Sequence, residues 1–379
     1  PKPFDPRLIL RIAPAVARAA METGVARRPI EDFALYEQRL HQFVFRSGLV
    51  MKPVVDRARR DRKRIVYADG EARRVLRAVQ TVLDEGLAEP VLIGRRGVLR
   101  RRIEQLNLRF QIDRDVEVCD PEDDPRYGEY WRTYRALLGR HGVTPATART
   151  VVRTNSTVIG ALMVHRGEAD ALLAGPNGIY DEHLRDVVSV FGLQEGVESP
   201  SALSLLIETK GTYFLTDTYV NVVPSAEQIA QGALLAAEEV RRFGIDPKVA
   251  LVSHSNFGSH DDPTARRMRD ALAIIRERAP TLEVDGEMHA DAALSEDIRG
   301  RILPDCALTG QANLLVLPTL DAANIAFNLT KVVSDGISVG PVLMGVTKPG
   351  HVLTPSASVR GIVNMTALAS VDAQAAQAR

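Results

Sequence analysis

Short apolar runs alternate with amphipathic stretches along most of this 379-residue chain. The runs "RIVYADG", "PVLIG", "ADALLAG", "YFLTDTYVN", "VALVSHS", "NLLVLPTL" and "PVLMGV" are rich in Val, Leu and Ile and predict strands. Between them apolar residues recur at helical spacing. Strands that read as continuous apolar runs separated by helices are the mark of parallel sheets covered on both faces, so an α/β chain is expected. Several helices announce their starts. In "PSAEQIAQGALLAAEEVRRFGI" Ser225 and Gln228 are spaced as a capping box and Gly244 supplies the stop. Asp262 followed by Pro263 starts "PTARRMRDALAIIRERA", and Asp321 is read as the start of "AANIAFNLTKVV". Residues 1–45 are helical in pattern but precede the first strand, which predicts a helical linker or tail without a sheet of its own. The Ala- and Gln-rich ending "DAQAAQAR" reads as a frayed terminus.

Length and composition narrow the picture. The chain is too long for one simple core, which predicts two lobes. With 45% hydrophobic and 5% aromatic residues, the composition suits a helix-rich α/β protein and not a disordered one. The formal net charge is +0, so the chain as a whole is no polyanion binder, although "DRARRDRKR" (56–64) and "RRGVLRRR" (95–102) make its first third locally basic. Those runs lack interleaved aromatics, so they are read as solvated helix faces or a docking surface, and no nucleic-acid partner is expected. Cys119 and Cys306 form neither a disulfide framework nor a zinc knuckle, and a reducing cytoplasm is inferred. No stretch reaches the length of a membrane span, and the opening "PKPFDPRLIL" has no signal-peptide pattern.

The usual dinucleotide and triphosphate loops, G-x-G-x-x-G and G-x-x-x-x-G-K-[ST], do not follow any predicted strand. The stretch "VALVSHSNFGSHDDP" (249–263) places Ser253, Asn256, Phe257, Gly258 and Ser259 in a small-residue turn between a strand and a helix. Amides and hydroxyls there suit a phosphate or carboxylate, and an ordinary strand-to-helix turn fits the pattern equally. His254, His260, Asp261 and Asp262 match no metal-ligand spacing, nor do His289 and Asp291, so both groups are read as solvated loop residues. In "AGPNGIYDEHLRDVVSVFG" (174–192) two acids suit a helix N-terminus, and Arg185 just beyond them can reach an anion at the end of the sheet. "HVLTPSASVRG" (351–361) is dense in small hydroxylated residues but contains no Asp, Glu or Cys.

Taken in order, "EADALLAG", "FLTDTYVNVVPSAEQIA", "RRFGIDPKVALVSHSNFGS", "VDGEMHADAAL", "QANLLVLPTLDAANIAFNL" and "GPVLMGVTKP" resemble the phosphate acetyl/butyryl transferases over residues 46–379. That resemblance implies a two-lobed, isocitrate-dehydrogenase-like α/β fold with a cleft between lobes, in which CoA and acetyl phosphate exchange an acetyl group. It implies lobe I at 46–195 plus 344–379 and lobe II at 196–343, and at least a homodimer. The leading "PKPFDPRLILRIAPAVARAAMETGVARRPI" resembles the last stretch of bacterial malic enzyme catalytic regions. Together the resemblances imply the transferase-like C-terminal domain of a hybrid malic enzyme, with 1–45 as the linker. The catalytic region of such an enzyme, outside this chain, would convert malate to pyruvate and CO2 with NADP and Mg2+ or Mn2+.

Active family members carry a pattern like K-P-x-x-x-L-S-R-G-x-S-x-x-D-I, in which Ser and Arg hold the reacting groups and Asp is assigned as the base for the thiol. Here Lys348, Pro349 and Leu353 match, but Thr354 stands at the Ser position, Pro355 at the Arg position and Gly361 at the Asp position. Proline offers neither cation nor N–H donor, and glycine accepts no proton. A thiol with a pKa of about 8.5 is mostly protonated at neutral pH, and losing its positioned base typically removes on the order of 10²- to 10⁴-fold in rate. The resemblance therefore implies binding of acetyl-CoA as an effector, without transfer; the alternative is an active phosphate acetyltransferase using another base. Arg185 stands at the position of a family arginine, Ser253, Asn256, Phe257, Gly258 and Ser259 lie in the family's phosphate-side turn, and Lys348, Thr354, Ser356, Ser358 and Arg360 complete the expected ligand set. A second family arginine has no counterpart in register, Arg140 being displaced from it.

Overall fold

The computed structural model describes residues 6–208, 210–334 and 336–377. In chain order the elements begin with helices α1 (Pro6–Glu22) and α2 (Phe33–Arg60), strand β1 (Arg64–Tyr67), α3 (Arg73–Glu85), β2 (Glu89–Ile93), α4 (Arg96–Gln105) and β3 (Glu117–Cys119). Then come α5 (Tyr127–Leu138), α6 (Pro145–Thr154), α7 (Ser156–His165), β4 (Ala171–Ala174), α8 (Tyr180–Phe191), β5 (Ser201–Ile207), β6 (Thr212–Thr216) and α9 (Ala226–Arg242). The rest is β7 (Lys248–Val252), α10 (Pro263–Arg278), β8 (Glu283–Met288), α11 (Ala290–Leu294), α12 (Glu296–Ile302), β9 (Leu314–Val316), α13 (Leu320–Val333), β10 (Ile337–Met344), β11 (Gly350–Val352) and α14 (Val359–Gln377).

Two sheets organise the molecule. The first has strand order β11-β4-β1-β2-β3 and is parallel throughout, with Val66 opposite Val91 on one side and Leu172 on the other. The second runs β10-β5-β6-β9-β7-β8, antiparallel at β10, β5 and β6 and parallel from β6 to β8. All seven apolar runs contain a strand. The buried faces that explain this are continuous: every residue of β4 and β5 is buried. One core joins α2, α3 and α14 to both sheets, and a second packs α7 and α8 on the other face of the first sheet. Helix α7 is apolar all round because it is buried all round, and Gly160 lets it approach β4, where an added Cβ would come within 2.6 Å of Leu172 Cδ1.

The caps follow from side-chain chemistry. Ser225 and Gln228 form the capping box of α9, and Gly244 follows its end at φ +75°. Asp262 caps α10 by accepting from the amides of Thr264 and Ala265. Helix α13 starts earlier than the Asp321 reading: Thr319 is its cap, accepting from the Ala322 amide, and Asp321 sits in the first turn, where a negative charge also suits the helix dipole. The ending "DAQAAQAR" is not frayed through Gln377; α14 carries it there with Asp372 and Ala373 buried, while its last two residues, like residues 1–5 of the linker, lie outside the described residues. The linker reading meets two helices, and α2 runs without a break across residue 45 to Arg60. Its far end is held to the body, since Gln374 Nε2 donates to the carbonyls of Arg57 at 3.0 Å and Asp61 at 2.7 Å.

Candidate functional site

Ligands of open parallel sheets bind outside the carboxyl ends of the strands, where loops end and helix N-termini begin. At that end of the first sheet lies a cavity of about 710 Å³, lined by Asp69, Glu71, Arg73, Arg74, Arg95, Arg102, Glu122, Arg153, Ser156 and Asn177 among others. This volume lies within the range of roughly 300–1,000 Å³ usual for small-molecule sites. Helices α3 and α4 both open onto it; neither has an acid in its first turn, and no side chain caps α3. The positive ends of two helices thus meet a wall with five arginines and three acids.

The arginines differ in how far they are engaged. Arg95 forms a two-pronged pair with Glu71, at 3.0 and 3.1 Å, and that pairing holds the Glu71 carboxyl below its ordinary range despite partial burial. Arg153 donates to the carbonyls of Pro121 and Glu122 and stacks over Tyr127. Arg102 donates to the Glu71 carbonyl. Arg73, exposed in the first turn of α3, has no hydrogen-bond or ion-pair partner among the described residues. Two of these cations, Arg95 and Arg102, come from the run "RRGVLRRR", whose sequence reads as a solvated helix face or a docking surface. The missed signal was that this run directly follows a strand, so its first residues fall at the carboxyl edge.

The segment Thr354–Ser358 is moored at the same edge. Leu353 N donates to Ala174 O at 2.7 Å as β11 leaves the sheet, and a Cβ on Gly175, at φ +91°, would stand 2.6 Å from the Leu353 carbonyl. Arg74 then joins both loops: Nη1 donates to the carbonyls of Pro355 at 2.6 Å and Ala357 at 2.8 Å, and Nη2 to that of Pro176 at 2.9 Å. Thr354 and Ser356 share a hydroxyl bond of 2.9 Å. Ser358 Oγ accepts from the Gly361 amide, capping α14, which leaves its hydroxyl proton for another acceptor. Pro355, Ser356, Ser358 and Arg360 are exposed, and Thr354 is half-buried. A Cβ at Gly361 would meet only Ser358 Oγ, at 3.5 Å, so the position has room for the first atom of a side chain.

Other expected ligand residues lie elsewhere. Lys348 precedes β11 whereas Thr354 follows it, so the strand separates them; Lys348 lines a different cavity of about 260 Å³ with Glu239, Arg242, His351 and Asp372. His351 is buried in β11, accepting from the Leu343 amide at Nδ1. Arg185 is exposed on α8 and pairs with Asp181 at 3.2 Å. Arg140 is exposed in a short 3-10 turn.

The turn Ser253–Ser259 closes on the protein itself. Glu287, fully buried, accepts at Oε1 from Ser255 Oγ at 2.6 Å, the Gly258 amide at 2.9 Å and Arg269 Nη1 at 3.0 Å. Asn256 N donates to Ser259 Oγ, Asn256 Oδ1 accepts from His289 N, and Phe257 takes φ +47° to donate its amide to the Glu287 carbonyl. An internal carboxylate therefore occupies the position proposed for a ligand's anion. Burial pushes Glu287 up, but the bonds from Ser255 and Gly258 and the charge of Arg269 together hold it below its ordinary value. The histidines beside it are loop residues, with His254 Nε2 bonded to Asp262 at 2.8 Å, and no group of three metal-ligating side chains occurs among the described residues.

A two-sheet α/β body with an arginine-walled cavity at a parallel edge has the charge and volume that suit an anionic small molecule. The profile of the family described as phosphate acetyl/butaryl transferase matches residues 49–370, and the chain belongs to that family. A phosphotransacetylase from Streptococcus pyogenes superposes with a TM-score of 0.79 at 27% identity, over 87% of this chain and 98% of that one. The chain is 57% identical to a NAD-dependent malic enzyme of Rhizobium meliloti over 98% of its own length and 48% of that protein's. It is 54% identical to an NADP-dependent malic enzyme of Escherichia coli over 99% of its length and 49% of that protein's. The chain thus spans about half the length of these curated relatives, and the likeness to them takes in residues ahead of the family match. No helix among the described residues is long and apolar enough to cross a membrane.

Proposed function

We propose that this chain is the acetyl-CoA-binding regulatory module of a malic enzyme, and that it binds its ligand at the first-sheet edge without transferring the acetyl group. The observation that carries this reading is a cavity walled by five arginines beside the segment Thr354–Gly361, whose sequence departs from the pattern of active family members. Pro355 and Gly361 occupy the positions of the family's cation and base, while Arg73, Arg74, Arg95, Arg102 and Arg153 still wall the cavity beside them. The phosphates of acetyl-CoA suit Arg73 and the α3 N-terminus, with Thr354, Ser356, Ser358 and Arg360 toward its acyl end and Arg185, on α8, at most an outer contact. Lys348 and the Ser253–Ser259 turn fall outside this version of the site.

Occupancy would reach the catalytic half through α14. That helix starts at the ligand segment, and near its end Gln374 grips the terminus of α2, the helix leading back toward residue 1. Acetyl-CoA then inhibits malate decarboxylation with NADP and a divalent metal by favouring one arrangement of α14 and α2. Assembly as at least a homodimer is part of the same proposal, supported by the exposed stripe Ile325, Leu329, Val332 and Val333 on α13.

Two assays on the chain test the reading. With acetyl phosphate and CoA supplied, acetyl-CoA formation stays at background; turnover at a rate typical of active phosphotransacetylases overturns it. Acetyl-CoA at about 100 times its dissociation constant raises stability against unfolding by about 2.7 kcal/mol, and no shift overturns the binding claim.

A further inference from the structure

The smaller cavity holds a cluster of charges that no ligand reading uses. Arg242, at the end of α9, points one guanidinium nitrogen at two carboxylates: Nη1 lies 2.7 Å from Glu239 Oε1 on its own helix and also bonds Asp372 Oδ1 on α14. Both carboxylates are about nine-tenths buried. His351 of β11 lies on the other side of Asp372, its Nε2 3.1 Å from Oδ2 but without hydrogen-bond geometry, and Glu239 Oε2 is buried with no partner. The remaining charged groups on the cavity wall are Glu238 from α9 and Lys348 from the β10–β11 loop. One guanidinium thus joins a helix covering the second sheet to the C-terminal helix that covers the first.

Two buried carboxylates on one nitrogen cannot both stay ionised cheaply, so one of them keeps a proton in the closed arrangement. We propose that the Glu239–Arg242–Asp372–His351 cluster is a proton-dependent latch, in which a protonated Glu239 lets Arg242 tie α9 to α14 and ionised Glu239 loosens that tie. Burial, and next the neighbouring Asp372, push Glu239 up to about 8, which names Glu239 as the group that keeps the proton. The sign follows. A carboxyl raised in the folded state contributes stability that is complete below its ordinary 4.5 and is lost as pH rises through about 8. The latch concerns the junction of α9 and α14 and holds whether or not the first-sheet cavity takes acetyl-CoA.

Amide hydrogen exchange on the full chain, expressed as protection factors to remove the intrinsic pH dependence, reads the latch directly. Protection in α9 and α14 is expected to fall about tenfold between pH 7 and pH 9 in the native protein, relative to the part of α7 packed on the other face of the first sheet. Glu239→Gln, a neutral isostere, removes that fall, and Glu239→Leu does the same without offering an extra N–H to Arg242. A native protein with no selective loss in α9 and α14, or either folded variant showing the same loss, overturns the proposal.

Discussion

At the carboxyl end of the first sheet, β1 and β2 lead into helices whose first turns carry arginines and no acids; at the same end of the second sheet, β6 and β8 finish at two carboxylates, the half-buried Asp217 and the buried Glu287. Asp217 accepts from the amides of Ala202, Tyr219, Val220 and Asn221, and Glu287 from Ser255, Gly258 and Arg269. At the first edge Glu71, Asp120 and Asp69 also accept from the amides of Arg95, Arg96 and Gly175, but no side chain caps α3. Donors that meet an internal carboxylate are satisfied and rigid, whereas the N-terminus of α3, with no side-chain cap and with Arg73 unpaired beside it, keeps donors for something brought from outside. Small-residue turns alone therefore do not identify a phosphate site; what matters is whether the fold supplies its own anion.

The largest expected effect comes from breaking the closed edge. Glu287→Ala leaves Arg269 and the turn's donors facing an empty buried site and is expected to cost about 3–5 kcal/mol in denaturant unfolding. The same carboxylate gives an acid limb: its contribution is complete above the ordinary 4.5 and falls as pH drops through its lowered value, so the variant's stability declines less steeply in acid than the native protein's. At the open edge the prediction concerns binding and not stability. Arg73→Glu is expected to weaken acetyl-CoA at least about tenfold in calorimetric titration while leaving unfolding unchanged, because a charge-assisted hydrogen bond is typically worth ~1.5–3 kcal/mol and Arg73 supports nothing else.

Smaller effects sharpen the boundary of each edge. Ser225→Ala removes one half of the α9 capping box, remote from the first-sheet cavity, and should cost about 1 kcal/mol in unfolding with acetyl-CoA affinity unaltered. Arg185→Ala should weaken acetyl-CoA by less than about threefold, since Asp181 already pairs with it and both side chains face water. A loss as large as that from Arg73→Glu would move the ligand's charged groups from α3 to α8.

How much of this was legible in the sequence depends on where burial and polarity agree. The seven strands read from apolar runs are there, and so are the caps at Ser225 and Asp262, because both signals are local. Four strands were not read. β3 and β11 are three residues long, too short for a pattern, and β8 is "EVDGEM", whose buried Asp285 and Glu287 make a core strand look like a loop. β5, "SALSLLI", is buried at every residue, and an apolar run of that kind does not separate strand from helix by periodicity.

At the site, the departure of Pro355 and Gly361 from the family pattern could be read, as both are visible in the chain itself. The cavity could not. Its arginines come from α3, α4 and α6, and only the parallel order β4-β1-β2 brings those helix ends together. Nor could the closure of the Ser253–Ser259 turn, which depends on a glutamate about thirty residues later in the neighbouring strand.

Binding without transfer is tested most directly by titrating the chain with acetyl-CoA calorimetrically in phosphate buffer, where phosphate is the co-substrate of any transfer. The account predicts saturable heat at one site per chain with the baseline returning after every injection. Absence of binding heat, or a sustained heat flow from continuing turnover, would contradict it.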